Sequence, residues 1–180
     1  MHQTTLIIGG CRSGKSRHAI RLGEEIAGKQ KIFLATCVPQ DTEMHHRVER
    51  HQAERGAHWQ TVEEPIDIVQ AIREHGPAAD VCLVDCLTLW VTNLMLAHDN
   101  DEAVGQCITR LCGIIADPPC ELIVVTNEVG AGIVPENRLA RRFRDMTGWT
   151  NQQVAAVCRT VIWMVAGIAV SIKPQNKMNC

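Results

Sequence analysis

Short apolar runs alternate with amphipathic stretches along most of this chain. Thr4 to Ile8 (TTLII), Lys31 to Thr36 (KIFLAT), Asp80 to Asp85 (DVCLVD), Glu121 to Thr126 (ELIVVT) and Val161 to Val165 each carry an apolar block of strand length. Helical spacing of apolar residues falls over 15–27, 42–55, 66–75, 87–97, 102–115 and 136–157. Strands that are apolar on both sides are buried on both sides. The pattern therefore predicts an α/β fold, a mostly parallel sheet with helices on both faces. The last block, VIWMVAGIAVSIK, divides at Ala166-Gly167 into two strands joined by a tight turn. That hairpin would add one antiparallel strand. Residues 174–180 read as a polar tail. With 180 residues and no repeat or linker, one domain is expected.

Composition narrows the classes. Hydrophobic residues make up 46% of the chain, enough for a proper core, and the net charge of -2 gives no general pull toward nucleic acid or acidic membrane. There are no Tyr and two Phe, so stacking platforms for single strands are not expected. Nine Cys could suggest a disulfide framework, but the number is odd, no C-x-x-C occurs and no leader pattern comes first. Cys82, Cys86, Cys112 and Cys158 sit among apolar residues and read as buried thiols, with the cytoplasm the expected compartment. The longest apolar stretch, 161–170, is too short to span a bilayer and is broken at Gly167.

The first strand runs into Gly9-Gly10-Cys11-Arg12-Ser13-Gly14-Lys15-Ser16, the full G-x-x-x-x-G-K-[ST] spacing, with a helix pattern after it. Glycines at both ends let successive backbone N–H groups turn toward phosphate oxygens. Lys15 would reach the β- and γ-phosphates, and the Ser16 hydroxyl would ligate Mg²⁺. The ligand class is a nucleoside triphosphate with its metal.

A second cluster lies at 41–59, DTEMHHRVERHQAERGAHW. On a helix, His51 falls four residues from both Arg47 and Arg55, so the three share one face. Two guanidinium groups disfavour protonation of the imidazole between them. A neutral imidazole beside phosphate-binding arginines suits attack on a nucleotide phosphorus. A solvated charged face with Glu43 and Arg47 paired explains the same residues. A metal site built from His45, His46, His51 and His58 matches no zinc spacing.

Asp85 ends an apolar strand in LVDCLTLW, the position from which a carboxylate holds Mg²⁺. It is equally an acceptor for guanine N–H groups, or a cap for the following helix. The polar, Gly-rich segment 125–135 leaves the carboxyl end of another strand, the edge where open α/β sheets bind ligands. Arg138, Arg141, Arg142 and Arg144 follow it, and most of them read as a solvated helix surface.

Taken together, GGCRSGKS, the ATC at 35–37, EMHHRVERHQAER with Trp59, LVDCLTLWVTN and VTNEVGAGIVPENRLARRFRD resemble one family over nearly the whole chain. It is the bifunctional adenosylcobinamide kinase / adenosylcobinamide-phosphate guanylyltransferase family of cobalamin biosynthesis. The resemblance implies a RecA-like P-loop sheet, a homotrimer, and two reactions. ATP or GTP phosphorylates adenosylcobinamide. GTP then gives GMP to the product through a GMP–histidine intermediate, forming adenosylcobinamide-GDP and pyrophosphate. The position matching that histidine is His51. The family's guanine-nucleotide contacts match Ala35, Thr36, Cys37, Gln52, Ala53, Glu54, Arg55, Glu63 and Asp85. Cys11 stands where many relatives are expected to carry Ala.

Rival readings meet the sequence less well. A P-loop kinase without guanylyl transfer would leave His51 as a phosphate contact. A GTP-binding switch protein needs D-x-x-G and N-K-x-D, but Asp85 is followed by Cys-Leu-Thr and Asn127 by Glu-Val-Gly. A dinucleotide-binding Rossmann domain needs G-x-G-x-x-G, which does not occur.

Overall fold

A computed structural model describes residues 2–38, 56, 58–98 and 100–173. The elements in chain order are β1 (Thr4–Gly9), α1 (Lys15–Glu25), β2 (Lys31–Ala35), β3 (Trp59–Glu63), α2 (Ile68–His75), β4 (Val81–Asp85), α3 (Leu87–Ala97), α4 (Asp101–Ala116), β5 (Glu121–Asn127), α5 (Arg138–Val157), β6 (Thr160–Val165) and β7 (Ile168–Lys173). The seven strands form one sheet in the order β3-β2-β4-β5-β1-β6-β7. Every pairing is parallel except that of β6 with β7. The sheet, its flanking helices and the terminal hairpin are the arrangement expected from the apolar pattern.

Period-two alternation divides each central strand between two cores. Leu6, Ile32, Leu34, Cys82, Val84, Leu122 and Val124 face one side, where Ile68 and Ile72 of α2, Leu87 and Trp90 of α3, Ile108 and Leu111 of α4 and Val154 of α5 cover them. Ile7, Phe33, Val81, Leu83, Ile123 and Val125 face the other side, against Ala19 of α1 and Trp59. A fully buried Leu or Ile contributes about 1.5–3 kcal/mol, so these two clusters supply most of the stabilising burial.

Chain direction and face together locate the ligand edge. The helix after β1 lies on one face, and the helix after β5 lies on the other. β1 and β5 are neighbours. Chains leaving adjacent strands toward opposite faces open a crevice at the carboxyl ends, here between Gly9 and Asn127, which are paired in register.

Strand β3 was not among the expected elements. Its sequence, WQTVE, sits at the sheet edge with Gln60, Thr61 and Glu63 exposed, so it lacks the apolar run that marks the central strands. The anchor is Trp59, whose ring meets Phe33 edge-on at 6.4 Å and whose Nε1 donates to Glu24. Gly23 of α1 lies directly against that ring, and a Cβ there would stand 2.6 Å from it. The α1 helix ends at Glu25 rather than near 27, because buried Lys31 donates to the carbonyls of Gly23 and Ile26. The remaining helices agree with expectation to within two residues, except for 42–55, which lies outside the described residues. So does the 174–180 tail. Among the described residues no helix is long and apolar enough to cross a membrane.

Candidate active site at the carboxyl edge of the sheet

The Gly9–Ser16 segment turns from β1 into α1 at the carboxyl edge. A Cβ on Gly9 would collide with the Met164 carbonyl and stand 2.8 Å from Ser13 Oγ, so close packing requires glycine there. Gly14 caps α1 with φ 91°, a conformation that strains any other residue. The loop is buttressed from β6 and the hairpin. Gly167, in the turn expected at 166–167, donates its N–H to the Ser13 carbonyl at 3.1 Å. Glu128 N–H donates to the Gly9 carbonyl at 3.0 Å, fixing the end of β5 to the start of the loop.

Inside this cradle Lys15 is 7% exposed, and its Nζ donates to the Gly10 carbonyl at 2.6 Å. The buried Ser13 hydroxyl has no hydrogen-bond partner. A buried hydroxyl left unpaired is costly, and a phosphate oxygen is the acceptor it fits. Ser16 lies in the first turn of α1, with the helix N-terminus adding positive potential. Cys11 and Arg12 are exposed at the loop tip.

The other expected contacts line up beside the cradle. Ala35 of β2 pairs in register with Glu63 of β3 on one side and with Asp85 of β4 on the other. Glu63, Ala35 and Asp85 therefore form one row across three strand ends, with β5 and then β1 following. At about 4.8 Å per strand, the row runs roughly 19 Å from Glu63 to Ile7 of β1, two residues before the phosphate loop begins. The chain leaves β2 through Thr36 and Cys37 on this same edge. His51, Gln52, Ala53, Glu54 and Arg55 lie outside the described residues. His58 precedes β3 at the opposite edge.

Hydrogen bonds clasp the row from below. Thr36, fully buried, donates its hydroxyl to the Cys86 carbonyl at 2.8 Å and accepts from the Cys86 N–H at 2.8 Å. Asn93 of α3 donates to the Thr36 carbonyl at 2.8 Å and to the Pro65 carbonyl at 3.0 Å. Thr88 Oγ1 accepts from Asn127 N–H at 2.7 Å and lies 3.5 Å from Thr126 Oγ1. The Thr126 hydroxyl donates to Asn151 Oδ1 at 2.7 Å, and Asn151 Nδ2 donates to the Asn127 carbonyl at 3.1 Å. Sequence reasoning missed Thr88, Asn93, Thr126 and Asn151. Their signal was polar side chains at apolar positions of helices and a strand end.

Cys86 occupies the N-cap position of α3, one residue after Asp85, and its side chain makes no capping bond. Burial first, and the Asp85 carboxylate second, push the Cys86 thiol up to about 12, which keeps it protonated and unreactive near neutrality. The eight described cysteines are free thiols, with Cys82, Cys86 and Cys158 buried as expected and Cys112 half-exposed.

Of the α5 arginines, Arg141 donates to the Pro135 carbonyl at 3.0 Å and braces the preceding loop. Arg142 pairs with Asp101 at 2.7 Å. Both line a concavity of about 480 Å³ with Arg138, Asp145, Met146 and Trp149 of α5 and Asp101 of α4. Arg144 departs from the surface expectation. It is half-buried, and one of its terminal nitrogens has neither solvent nor a hydrogen-bond partner.

For a metal, no group of three or more His, Cys, Asp or Glu is gathered among the described residues. The two side chains expected to ligate Mg²⁺, the Ser16 hydroxyl and the Asp85 carboxylate, both offer oxygen. Oxygen donors of this kind are what Mg²⁺ takes.

Comparison with known proteins agrees with this arrangement. The model of the cobinamide kinase / cobinamide phosphate guanyltransferase family matches residues 5–172. The bifunctional adenosylcobalamin biosynthesis protein CobP of Pseudomonas aeruginosa is 42% identical over 168 residues, covering 93% of this chain and 96% of its own. The corresponding Escherichia coli protein, CobU, is 40% identical over 182 residues, with coverages of 93% and 98%. Among solved structures, the flagellar accessory protein FlaH of Methanocaldococcus jannaschii superposes with a TM-score of 0.54 at 12% identity, over 95% of this chain and 78% of its own. A type III secretion ATPase gives 0.56 at 13% identity, over 94% and 56%. These two likenesses concern the P-loop NTPase fold alone.

Proposed function

The chain belongs to the cobinamide kinase / cobinamide phosphate guanyltransferase family, and from that premise we propose how this bifunctional enzyme divides its two reactions among its residues. In the first, ATP or GTP lies in the 9–16 loop, and its γ-phosphoryl group passes to the hydroxyl of adenosylcobinamide. The hydroxyl loses its proton and the nucleoside diphosphate leaves. Lys15 and the loop N–H groups neutralise the charge on the transferring group, which is the main demand of such a transfer.

In the second reaction the neutral His51 imidazole attacks the α-phosphorus of GTP. An N–P bond forms, the bond to the bridging oxygen breaks, and pyrophosphate leaves. A phosphate oxygen of adenosylcobinamide phosphate then attacks the same phosphorus. The P–N bond breaks, His51 returns neutral, and adenosylcobinamide-GDP is released. Ala35 to Cys37, Gln52 to Arg55, Glu63 and Asp85 receive the guanine nucleotide. Ser16 and Asp85 would hold Mg²⁺, which when bound offsets phosphate charge. The acting unit is one catalytic domain assembled as a homotrimer.

The observation that carries this reading is the row of strand ends. Glu63, Ala35 and Asp85 stand in register on adjacent strand ends, and the phosphate cradle opens two residues beyond the same row on β1, at the scale of a single nucleotide. The test uses GTP labelled at the α-phosphorus with Mg²⁺, against wild type and His51→Ala. Label that stays on denatured wild type, is removed by acid but not alkali, and is absent from the variant supports the reading. Wild type that takes no label leaves a P-loop kinase without guanylyl transfer.

A further inference from the structure

Arg144 and Thr147 stand three residues apart on one flank of α5, and each carries a buried polar atom with no hydrogen-bond partner, Nη1 and Oγ1. Residues so spaced on a helix are neighbours. Thr147 is 1% exposed. Asn151, one further turn along the same flank, is held to the carbonyl of Asn127, the last residue of β5. The helix therefore passes the strand end at Asn151. With a rise of about 1.5 Å per residue, Arg144 lies roughly 10 Å beyond it, above the carboxyl edge.

A guanidinium has five donors and no acceptor, and burying part of it unpaired is expensive unless a ligand completes it. Arg141 and Arg142 are occupied by the Pro135 carbonyl and by Asp101. Arg144 and Thr147, on one flank of the helix, offer what a phosphate monoester takes, a planar charged fork and a hydroxyl.

The face decides which phosphate. The nucleotide cradle leads into α1 on one side of the sheet, whereas α5 covers the other, across the crevice between β1 and β5. A ligand held from the α5 side approaches opposite the cradle. We propose that Arg144, with Thr147, receives the phosphate that the first reaction places on the acceptor, and so admits phosphorylated rather than unphosphorylated acceptor to guanylyl transfer. This deepens the reading above and rests on it. It also gives the two reactions their order, because the neutral alcohol has no anion to occupy the site.

The test compares wild type, Arg144→Gln, Arg144→Lys and Thr147→Val as full chains in three assays. One is labelling of the protein by GTP without acceptor. The second is transfer of that label to cobinamide phosphate, and the third is phosphorylation of cobinamide. For Arg144→Gln the KM for cobinamide phosphate should rise roughly 10- to 100-fold, as expected for losing a charge-assisted hydrogen bond. GTP labelling and the KM for cobinamide should stay within about twofold, the scatter of an uninvolved site. Arg144→Lys should fall between, since it keeps the charge and loses the fork. Thr147→Val, close to isosteric, should show the same selectivity at smaller size, and it decides the matter if Arg144→Gln does not fold. An unchanged KM for cobinamide phosphate overturns the proposal, as does an equal loss in all three assays or a loss confined to nucleotide steps. Wild type that never takes label overturns the guanylyl-transfer reading itself, and the proposal with it.

Discussion

Replacing Thr36 with Val isolates the clasp beneath the nucleotide row. The two side chains have nearly the same shape, so the change removes a hydroxyl and little else. The Cys86 N–H then loses its acceptor in a site where Thr36 is 0% and Cys86 is 8% exposed. An orphaned buried N–H costs about 1–3 kcal/mol. The Cys86 carbonyl fares better, because Trp90 N–H still donates to it at 3.1 Å. Losing the Thr36 bond there costs about 0.5–1.5 kcal/mol. The sum is roughly 1.5–4.5 kcal/mol, or about 3–18 °C in Tm for a chain of this size. Thr36→Ser keeps both bonds and gives up one methyl, about 1 kcal/mol. Urea or thermal unfolding of the three proteins should rank wild type, Ser, then Val. Thr36→Val as stable as wild type, or less damaging than Thr36→Ser, would refute the claim that the hydroxyl rather than the methyl holds Cys86 and Asp85 in place.

Other expectations follow from single sites. Burial first, and Arg21 at 2.9 Å second, lower the His18 pKa from its ordinary 6.5, against an opposing pull from Glu25. The folded state thus binds fewer protons than the unfolded chain, so this contribution is complete above pH 6.5 and is lost as pH falls through the lower folded value. Tm measured from pH 7.5 to 5 should decline less steeply in His18→Gln than in wild type, and equal slopes would count against the assignment. Cys11 is exposed in the phosphate loop, while burial raises the Cys82, Cys86, Cys120 and Cys158 thiols. A maleimide should therefore reach Cys11 early and abolish nucleotide binding, and Cys11→Ala should keep binding after the same treatment. Modified wild type with full affinity would sink that idea.

Much of this protein is legible in its sequence, for a local reason. A strand buried on both faces must be apolar throughout, and a helix over such a sheet must be apolar on one stripe. The 4–9, 31–35, 81–85 and 121–127 strands and the 87–97 helix therefore announce themselves. The phosphate loop is legible because its glycines, lysine and serine are contiguous. The Ala166-Gly167 turn is legible because a tight turn there takes a positive φ, 84° at Gly167, that glycine accommodates.

Sheet order and register were not legible, because they depend on which distant segments pair. Nothing near Glu63 says that it stands beside Ala35, or Ala35 beside Asp85; parallel pairing brought them together across 28 and 50 residues of chain. Edge strand β3 escaped notice because one exposed side and one exposed edge relax the demand for apolar residues. The same holds for the polar chain through Thr88, Thr126 and Asn151, and for Arg144. A lone threonine, asparagine or arginine in a helix looks like surface until packing takes away its water. Only then does its missing or surviving partner indicate what it is for.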